Sequence, residues 1–337
     1  MDNIKKIIKG ILLYGLGISI IAIIFSQIGI SNILNTFKHI NIYMYIIALI
    51  MYFITIYLMS IRWRMLLNIN NYKASLKNLI MLTLVGQFIN NITPSMRGGS
   101  EPIRAYYLSK LENIPKSISL STVVVERILD TIVFLTLSFL VIAYLTIDGI
   151  PYARQLFFIW IFVGIFMVFI IYIITDRYWT YKIALTIAEI LSKFKLMNIP
   201  PETVEKSLDK FHKNLEYFKT NKEKMIKPLI ISYVWWLIDI GRVYVLFKSI
   251  GSSVSFIGVS TTYLISLLAG MIPTLPGGLG TSDAVMMAVY SLFNVPYSVA
   301  AAGVILDRSI SYVIATILGG ICCYLIKKKI DKIKNEE

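Results

Sequence analysis

Charged residues are scarce in this chain: Asp, Glu, Lys and Arg make up 15% of its 337 residues, whereas 57% are hydrophobic. Soluble domains carry about 25% charged residues, and disordered chains have low hydrophobicity. The composition therefore excludes a disordered chain and argues against a soluble protein. The only two cysteines, Cys322 and Cys323, are adjacent inside an apolar run, which leaves no disulfide framework.

Residue types that carry chemistry are also rare. The only histidines are His39 and His212, and no His, Cys and carboxylate cluster has metal-ligand spacing. The Gly-x-x-x-x-Gly-Lys-Ser/Thr pattern of a nucleotide-binding loop is missing. We therefore expect no metal, no cofactor and no catalytic residue, and we expect that the protein is not an enzyme.

Acidic residues are fewer than basic ones, 19 against 33, so the net charge is +14. On a soluble chain this excess would suggest nucleic acid. Here the basic residues lie between apolar runs, where Lys and Arg set membrane topology. We expect no nucleic-acid partner.

Long apolar runs are abundant. A helix needs about 20 mostly apolar residues to cross a hydrocarbon core of about 30 Å, and the runs lack the alternation of barrel strands. The sequence predicts an all-α integral membrane protein of about six spans plus two broken segments, each a re-entrant helix pair or two short crossings. The six runs are 11–30, 42–61, 122–147, 155–175, 229–248 and 303–326, and the broken segments are 78–92 and 255–293.

Basic residues in short flanks predict the orientation of the spans. These flanks contain Lys5, Lys6 and Lys9, then Arg62, Arg64, Lys73 and Lys77, then Lys116, and finally Lys327, Lys328 and Lys329. We expect a multi-pass protein of the cell membrane with both termini and the polar segment 176–227 in the cytoplasm. The loop Asp148–Pro151 is then external.

The segment 176–227 is the only long polar stretch. Apolar residues recur at helical spacing after Pro201, namely Leu208, Phe211, Leu215 and Phe218. This pattern predicts an amphipathic linker helix that packs on the helix bundle or lies at anionic lipid headgroups. A regulatory or partner-binding role is the alternative.

The two broken segments share a motif. NNITPSMRGGSEPIR covers Asn90–Arg104, and MIPTLPGGLGTSD covers Met271–Asp283. The dyad Glu126-Arg127 follows Glu101 at nearly the same spacing at which Asp307-Arg308 follows Asp283. We interpret residues 1–337 as a single domain with internal repeats at about 42–147 and 229–326. The charge pattern predicts opposite orientations for the repeats, a recurring design of secondary transporters with the site at the repeat interface.

The broken segments predict an anion site. Pro ends a half-helix and Gly permits a sharp turn, and a helix that starts there directs N–H groups and a positive dipole end at a ligand. Arginines could pair with phosphate, and carboxylates could hold a cationic headgroup or couple to protons. The candidate substrate-binding residues are Arg97, Gly98, Gly99, Glu101, Arg104, Glu126, Arg127, Asp130, Pro276, Gly277, Gly278, Asp283, Asp307 and Arg308.

The alternative is that these charges pair with one another and hold the bundle together. Adjacent residues of a dyad do not face each other on a helix, so each needs another partner, and the other repeat is one place for it. Asp239 and Arg242 occupy neighbouring positions on one helix face, which favours a local salt bridge of structural importance.

The motif order resembles a known family. Asn91-x-x-Pro94, Gly98-Gly99-x-Glu101-Pro102-x-Arg104, Glu126-Arg127-x-x-Asp130 and Pro276-Gly277-Gly278-x-Gly280-x-x-Asp283 are similar to the lysylphosphatidylglycerol synthase transmembrane region. That region is the flippase-like module of the multiple peptide resistance factor proteins. The resemblance implies a lipid flippase that moves a lipid between leaflets.

The chain ends at Glu337, shortly after its last apolar run, so it is expected to be a stand-alone member without the synthase domain. The lipid is anionic or zwitterionic, and an aminoacylated and a polyprenyl-phosphate-linked lipid both stay open. A separate lipid-synthesising enzyme and a second copy of the chain are the protein partners to consider.

Two other functions compete with lipid movement. One is a membrane-embedded lipid-modifying enzyme, for which Ser100, Thr281 and Ser282 offer hydroxyls but no histidine base is near in sequence. The other is an ion-coupled carrier of a small anion.

Overall fold

The regular structure is helical. The computed structural model describes Lys38 and residues 40–93, 99–193, 200–270 and 276–336, and no strand occurs within these ranges. Among the described residues, four helices and the continuous helical stretch Tyr297–Ile333 are long and apolar enough to cross a membrane. They contain five of the six predicted spans, and the run 11–30 lies outside the described residues. The all-α membrane class is therefore confirmed.

The helix bounds extend past the apolar runs because the helices continue into polar sequence. In chain order the helices are α1 Ile42–Ile69, α2 Leu76–Ile92, α3 Glu101–Glu112, α4 Lys116–Ile147, α5 Ala153–Thr175, α6 Arg177–Lys193, α7 Pro201–Thr220, α8 Lys222–Ser249, α9 Phe256–Gly270, α10 Thr281–Leu292, α11 Tyr297–Arg308 and α12 Ala315–Glu336. A short 3₁₀ turn, Pro276–Gly278, precedes α10, and the π-helical segment Ser309–Ile314 connects α11 to α12.

Two series of helices have the same order along the chain. In both α1–α4 and α8–α12 the order is a long helix, a short helix, a break, a 12-residue helix and a long helical stretch. Both leading helices have 28 residues. The starts of α8, α9 and α10 follow the starts of α1, α2 and α3 at one constant offset. We call α1–α4 the first series and α8–α12 the second series; their opposite orientation stays a prediction.

The chain forms two compact units. The larger unit takes in the described residues of 1–60, 80–104 and 234–337, and the smaller unit consists of the described parts of 61–79 and 105–233. In the larger unit, mostly small and aliphatic side chains pack together from α1, α2, α8, α11, the π-helical segment and α12. This core contains Ala48, Tyr52, Ile56, Leu84, Leu246, Ile250, Ala302, Leu306, Ile310 and Ala315.

In the smaller unit, α7 packs on the bundle with its apolar face. Phe211, Leu215 and Phe218 are buried against Leu66, Ile69, Val125 and Leu129. The helix starts at Pro201, whose fixed φ suits the first turn. Within the predicted linker, α7 is thus a helix whose apolar face packs on its own unit.

Candidate functional site

Arg62 is a buried ion-pair residue of the smaller unit. Its guanidinium is fully buried, donates to Asp130, and lies 3.3 Å from Glu126 Oε1 and 2.9 Å from Ser232 Oγ. The sequence interpretation counted Arg62 among the flanking charges after a span ending at residue 61 and gave it no partner. Because α1 continues to Ile69, Arg62 lies within the helix and its charge is neutralised inside the protein.

The dyad Glu126-Arg127 places its two members in different surroundings. Glu126 is fully buried beside Arg62, whereas the Arg127 side chain is 42% exposed and lies 3.7 Å from Asp130 Oδ2. Neighbouring helix residues point in different directions. The Arg127 side chain is therefore partly accessible to solvent, although it lies next to the buried group of Arg62, Glu126 and Asp130.

The larger unit contains a second buried ion-pair group, which consists of Arg242 and the carboxylates of Asp239 and Asp307. Arg242 Nε donates to Asp239 Oδ1 at 2.8 Å, and its Nη1 donates to Asp307 Oδ1 at 2.6 Å. The Tyr263 hydroxyl donates to Asp239 Oδ2. The predicted local pair of Asp239 and Arg242 is confirmed, and Asp307 enlarges it.

The two ion pairs occupy corresponding positions of the two series. Arg242 follows Arg62 at the same offset at which α8 follows α1, and Asp307 follows Glu126 at nearly that offset. In each series the acidic residue of the dyad contacts an arginine of the leading long helix. The other repeat was one place considered for the partners of Glu126 and Asp307, and the contacts described here lie within their own series. An arginine inside a long helix reaches the carboxylates of its own series first.

The broken segment before α10 forms a sharp turn. Gly277, Gly278 and Gly280 have φ values of 63°, 70° and 79°, in the left-handed region that favours glycine. A Cβ on Gly277 would lie 2.6 Å from the Tyr312 ring. The turn predicted at the Gly-Gly pair is confirmed for Gly277 and Gly278, and Pro276 is buried beside it.

Asp283 and Arg308 hold this turn. Asp283 Oδ2 accepts the Gly280 N–H at 3.0 Å and so caps the start of α10. Asp283 Oδ1 accepts from Arg308 Nε at 2.7 Å, and Arg308 Nη1 donates to the Gly277 carbonyl at 3.2 Å. The Arg308 side chain is 16% exposed, and its Nη2 has no hydrogen-bond partner among the described residues. The structure thus pairs two of the predicted site residues, Asp283 and Arg308, and leaves Nη2 of Arg308 without a hydrogen bond to a described residue.

Asn91 secures the opposite side of the turn, and the sequence reasoning missed its role. Its Nδ2 donates to Thr316 Oγ1 at 3.0 Å and to the Ser311 carbonyl at 3.2 Å, within and just after the π-helical segment. The Tyr312 hydroxyl donates to the Asn91 carbonyl at 3.2 Å. π-helical segments are frequent at functional sites. The only available signal was the position of Asn91 shortly before Pro94.

The other predicted residues lie on or before α3. Glu101 is in its first turn, and Gly99 is in the bend that precedes it. Arg104 is buried, with its side chain against Gly86 of α2. Arg97 and Gly98 lie outside the described residues.

The smaller unit also has a surface cleft of about 420 Å³ between α6 and α7. Arg177, Tyr178, Tyr181, Glu205, Leu208 and Asp209 line it. Arg177 forms an ion pair with Asp209 there. None of the predicted site residues lines this cleft.

The sequence matches a known family along almost its whole length. The profile of the lysylphosphatidylglycerol synthase TM region matches residues 7–319. The chain belongs to this family. The resemblance carried by the motifs is thereby confirmed, and family membership is consistent with a lipid-related role in a membrane.

Archaeal membrane proteins are similar to this chain over their full length. A UPF0104 membrane protein of Methanocaldococcus jannaschii is 40% identical over 332 residues, covering 98% of this chain and 99% of its own. One of Pyrococcus horikoshii is 30% identical over 93% of this chain and 96% of its own. One of Methanothermobacter thermautotrophicus is 29% identical, with 92% and 94% covered.

Proposed function

We propose that the protein moves a phosphate-bearing lipid between the two leaflets of the cell membrane. The Arg308 guanidinium carries the proposal. Asp283 and the Gly277 carbonyl orient it, and Nη2 is uncommitted among the described residues. A guanidinium is planar and pairs with phosphate oxygens through two nitrogens.

The start of α10 supports the same ligand. The first turn of a helix has N–H groups without partners inside the helix and a positive dipole end, which together favour phosphate. Gly278 and Gly280 allow backbone to approach a ligand that side chains would exclude. The headgroup phosphate would sit between this turn and Arg308.

Charges inside the membrane-crossing helices support a polar path. Ionisable residues in spans are costly and are functional by default, and irregular backbone at depth lines a cavity or is buried in protein. The acyl tails would stay in the bilayer while the headgroup crosses. Aminoacylated phospholipids and polyprenyl phosphates share the phosphate on which this path depends. The termini would be cytoplasmic, and the two series would open to opposite sides.

The test separates a binding role of Arg308 from a structural one. Arg308→Ala breaks a buried pair and leaves Asp283 charged, which costs about 3–5 kcal/mol of stability. The double variant Arg308→Ala with Asp283→Asn removes that unpaired charge, and Asn keeps an oxygen for the Gly280 N–H. We expect the double variant to regain thermal stability in detergent without regaining lipid movement in proteoliposomes. Arg308→Lys should recover part of the movement.

The matched control is Arg154→Ala, which removes an exposed arginine at the start of α5 and should leave lipid movement unchanged. Full lipid movement by the double variant would contradict the proposal. Chemical conversion of the labelled lipid without movement would favour the lipid-modifying enzyme. Anion flux without lipid movement would favour the small-anion carrier.

A further inference from the structure

The charges of the buried cluster in the larger unit do not balance. We define the acidic cluster as Asp239, Arg242 and Asp307, with two carboxylates against one guanidinium. The next cation, Arg308, is bound to the carboxylate of Asp283. The cluster therefore carries one negative charge more than its described surroundings neutralise.

Counted over the residues that the structure describes, the corresponding group in the smaller unit has as many cations as carboxylates. There Arg62 and Arg127 lie beside Glu126 and Asp130, two cations against two carboxylates. Within the described part of the chain, the imbalance is thus found in the second series and not in the first. A single uncompensated charge inside a membrane-crossing region is costly, and one bound positive charge would remove it.

The hydrogen bonds locate the oxygen that can take this charge. Both Asp239 oxygens accept strong donors, Arg242 Nε and the Tyr263 hydroxyl. Asp307 Oδ1 accepts from Arg242 Nη1 at 2.6 Å. Among the described residues, Asp307 Oδ2 has only the Ser311 hydroxyl at 3.4 Å, and that hydroxyl also donates to the Asp307 carbonyl at 2.9 Å. Asp307 Oδ2 is the open acceptor of the cluster.

Two buried phenols next to the cluster lack partners. The hydroxyls of Tyr52 and Tyr290 are buried and have no hydrogen bond within the described structure. Tyr52 is within electrostatic reach of Arg242 and Asp239, and Tyr290 is within reach of Asp307. Buried hydroxyls are almost always bonded. Their presence here indicates that the cluster has a further hydrogen-bonding state.

We propose that the acidic cluster binds and releases one proton on Asp307 Oδ2 and that this proton is coupled to lipid movement. Water supplies the proton from one side of the membrane. An O–H bond forms at Oδ2, the cluster becomes neutral, and water on the other side takes the proton when the bond breaks. The coupling rests on the proposed function; the proton site itself does not.

The surroundings of Asp307 favour a proton over a metal ion. Of the residues that the structure describes, the charged and titratable groups that face Asp307 are Asp239 and Arg242 from α8, Tyr263 from α9, Tyr290 from α10 and Tyr52 from α1, with Arg308 next in sequence. Hard metal ions need several oxygen ligands at once. Three of the four carboxylate oxygens accept short hydrogen bonds, and the fourth, Asp307 Oδ2, has only the long contact from Ser311. One weakly bonded oxygen is enough for a proton but not for a metal ion.

Infrared difference spectra of the purified full chain test the site directly. Acidification of the wild-type protein should produce a carboxylic-acid C=O band that the Asp307→Asn spectrum lacks. The matched control Glu126→Gln, at the corresponding position of the balanced group, should keep the band. Tyr290→Phe should shift its frequency, because that phenol is an unbonded donor within electrostatic reach of Asp307. An identical band in wild type and Asp307→Asn would overturn the proposal.

Proteoliposomes with fluorescent phosphatidylglycerol test the coupling. A pH gradient should speed movement severalfold in one direction, and Asp307→Asn should abolish that response. Lipid movement that ignores the pH gradient, or follows a sodium gradient, would overturn the coupling and leave the proposed function standing. If no lipid moves while the Asp307 band is present, the proposed function fails and the proton site stands.

Discussion

Arginine inside an apolar helix is stable when carboxylates surround it, and Arg62 and Arg242 each contact two. Removing one partner of a buried pair costs about 3–5 kcal/mol, because the other charge stays behind unpaired. Among the described residues, Arg308 Nη2 and Asp307 Oδ2 are the exceptions on which the proposed chemistry depends. At the scale of residues, the proposed function depends on these two atoms, to which the described residues offer no strong hydrogen bond.

His212 gives a prediction outside the spans. Its ring is buried on α7, its Nε2 lies 2.7 Å from Thr180 Oγ1, and burial lowers the pKa of His212 below the usual 6.5, with Arg177 adding to the effect. The folded state keeps the ring neutral while the unfolded chain takes a proton below about pH 6.5. The stabilisation is therefore complete above about pH 6.5 and is lost as the pH falls toward the lowered value.

The measurement is the melting temperature of the full chain in detergent over a pH series. We expect it to fall as the pH decreases below about 6.5, and we expect His212→Gln to flatten this dependence. An equal slope in wild type and variant would show that His212 does not cause it.

Residue positions could be predicted from the sequence better than residue partners. The motifs identified Asp283, Arg308 and Asp307 by type and spacing. The ion pairs of Arg62 were missed because counting charges near apolar runs does not reveal whether a guanidinium is buried. Asn91 was missed because its bonds run to a segment far away along the chain, and single-sequence spacing carries no such information.

At the scale of helices, the close approach of two helices depends on small residues at their contact. In the larger unit, a Cβ on Gly319 of α12 would lie 2.3 Å from the Leu84 carbonyl oxygen and 2.6 Å from Phe88 Cβ on α2. For the next residue, Gly320, the nearest atom would be 3.5 Å away. Small residues at such contacts are typical of membrane helices.

This pair of glycines gives a matched prediction. Gly319→Ala should destabilise the protein by about 1–3 kcal/mol, because helix backbone must shift. Gly320→Ala should be neutral or stabilising by up to about 1 kcal/mol, because alanine is the better helix former. Unfolding in mixed detergent micelles measures both, and equal stabilities of the two variants would contradict the close packing of α12 on α2.

Element types could be predicted from hydropathy, whereas several bounds could not. The apolar run 229–248 lies inside a helix that begins at Lys222 and contains Pro228. Helices continue wherever backbone bonds are satisfied, so polar residues extend them beyond the hydrocarbon core. The π-helical segment Ser309–Ile314 has no hydropathy signature and was not predicted.

At the scale of the whole molecule, the same order of helices occurs twice, but the buried groups of charged residues in the two series differ. The leading helices of both series carry a buried arginine at corresponding positions, and each contacts the acidic residue of a dyad. Among the described residues, the buried group of the first series is electrically balanced, and that of the second is not. Under the two proposals made above, the first series stabilises the protein, and the second binds phosphate and a proton.

The accessibility of a lipid headgroup tests this account most directly. Fluorescent phosphatidylglycerol is placed symmetrically in sealed vesicles with and without the wild-type protein, and an impermeant reductant is added outside. The account predicts that nearly all of the fluorescence is lost when the protein is present, whereas protein-free vesicles lose only the outer-leaflet share. Equal loss from both kinds of vesicle, across phosphatidylglycerol, an aminoacylated derivative and a polyprenyl phosphate, would contradict it.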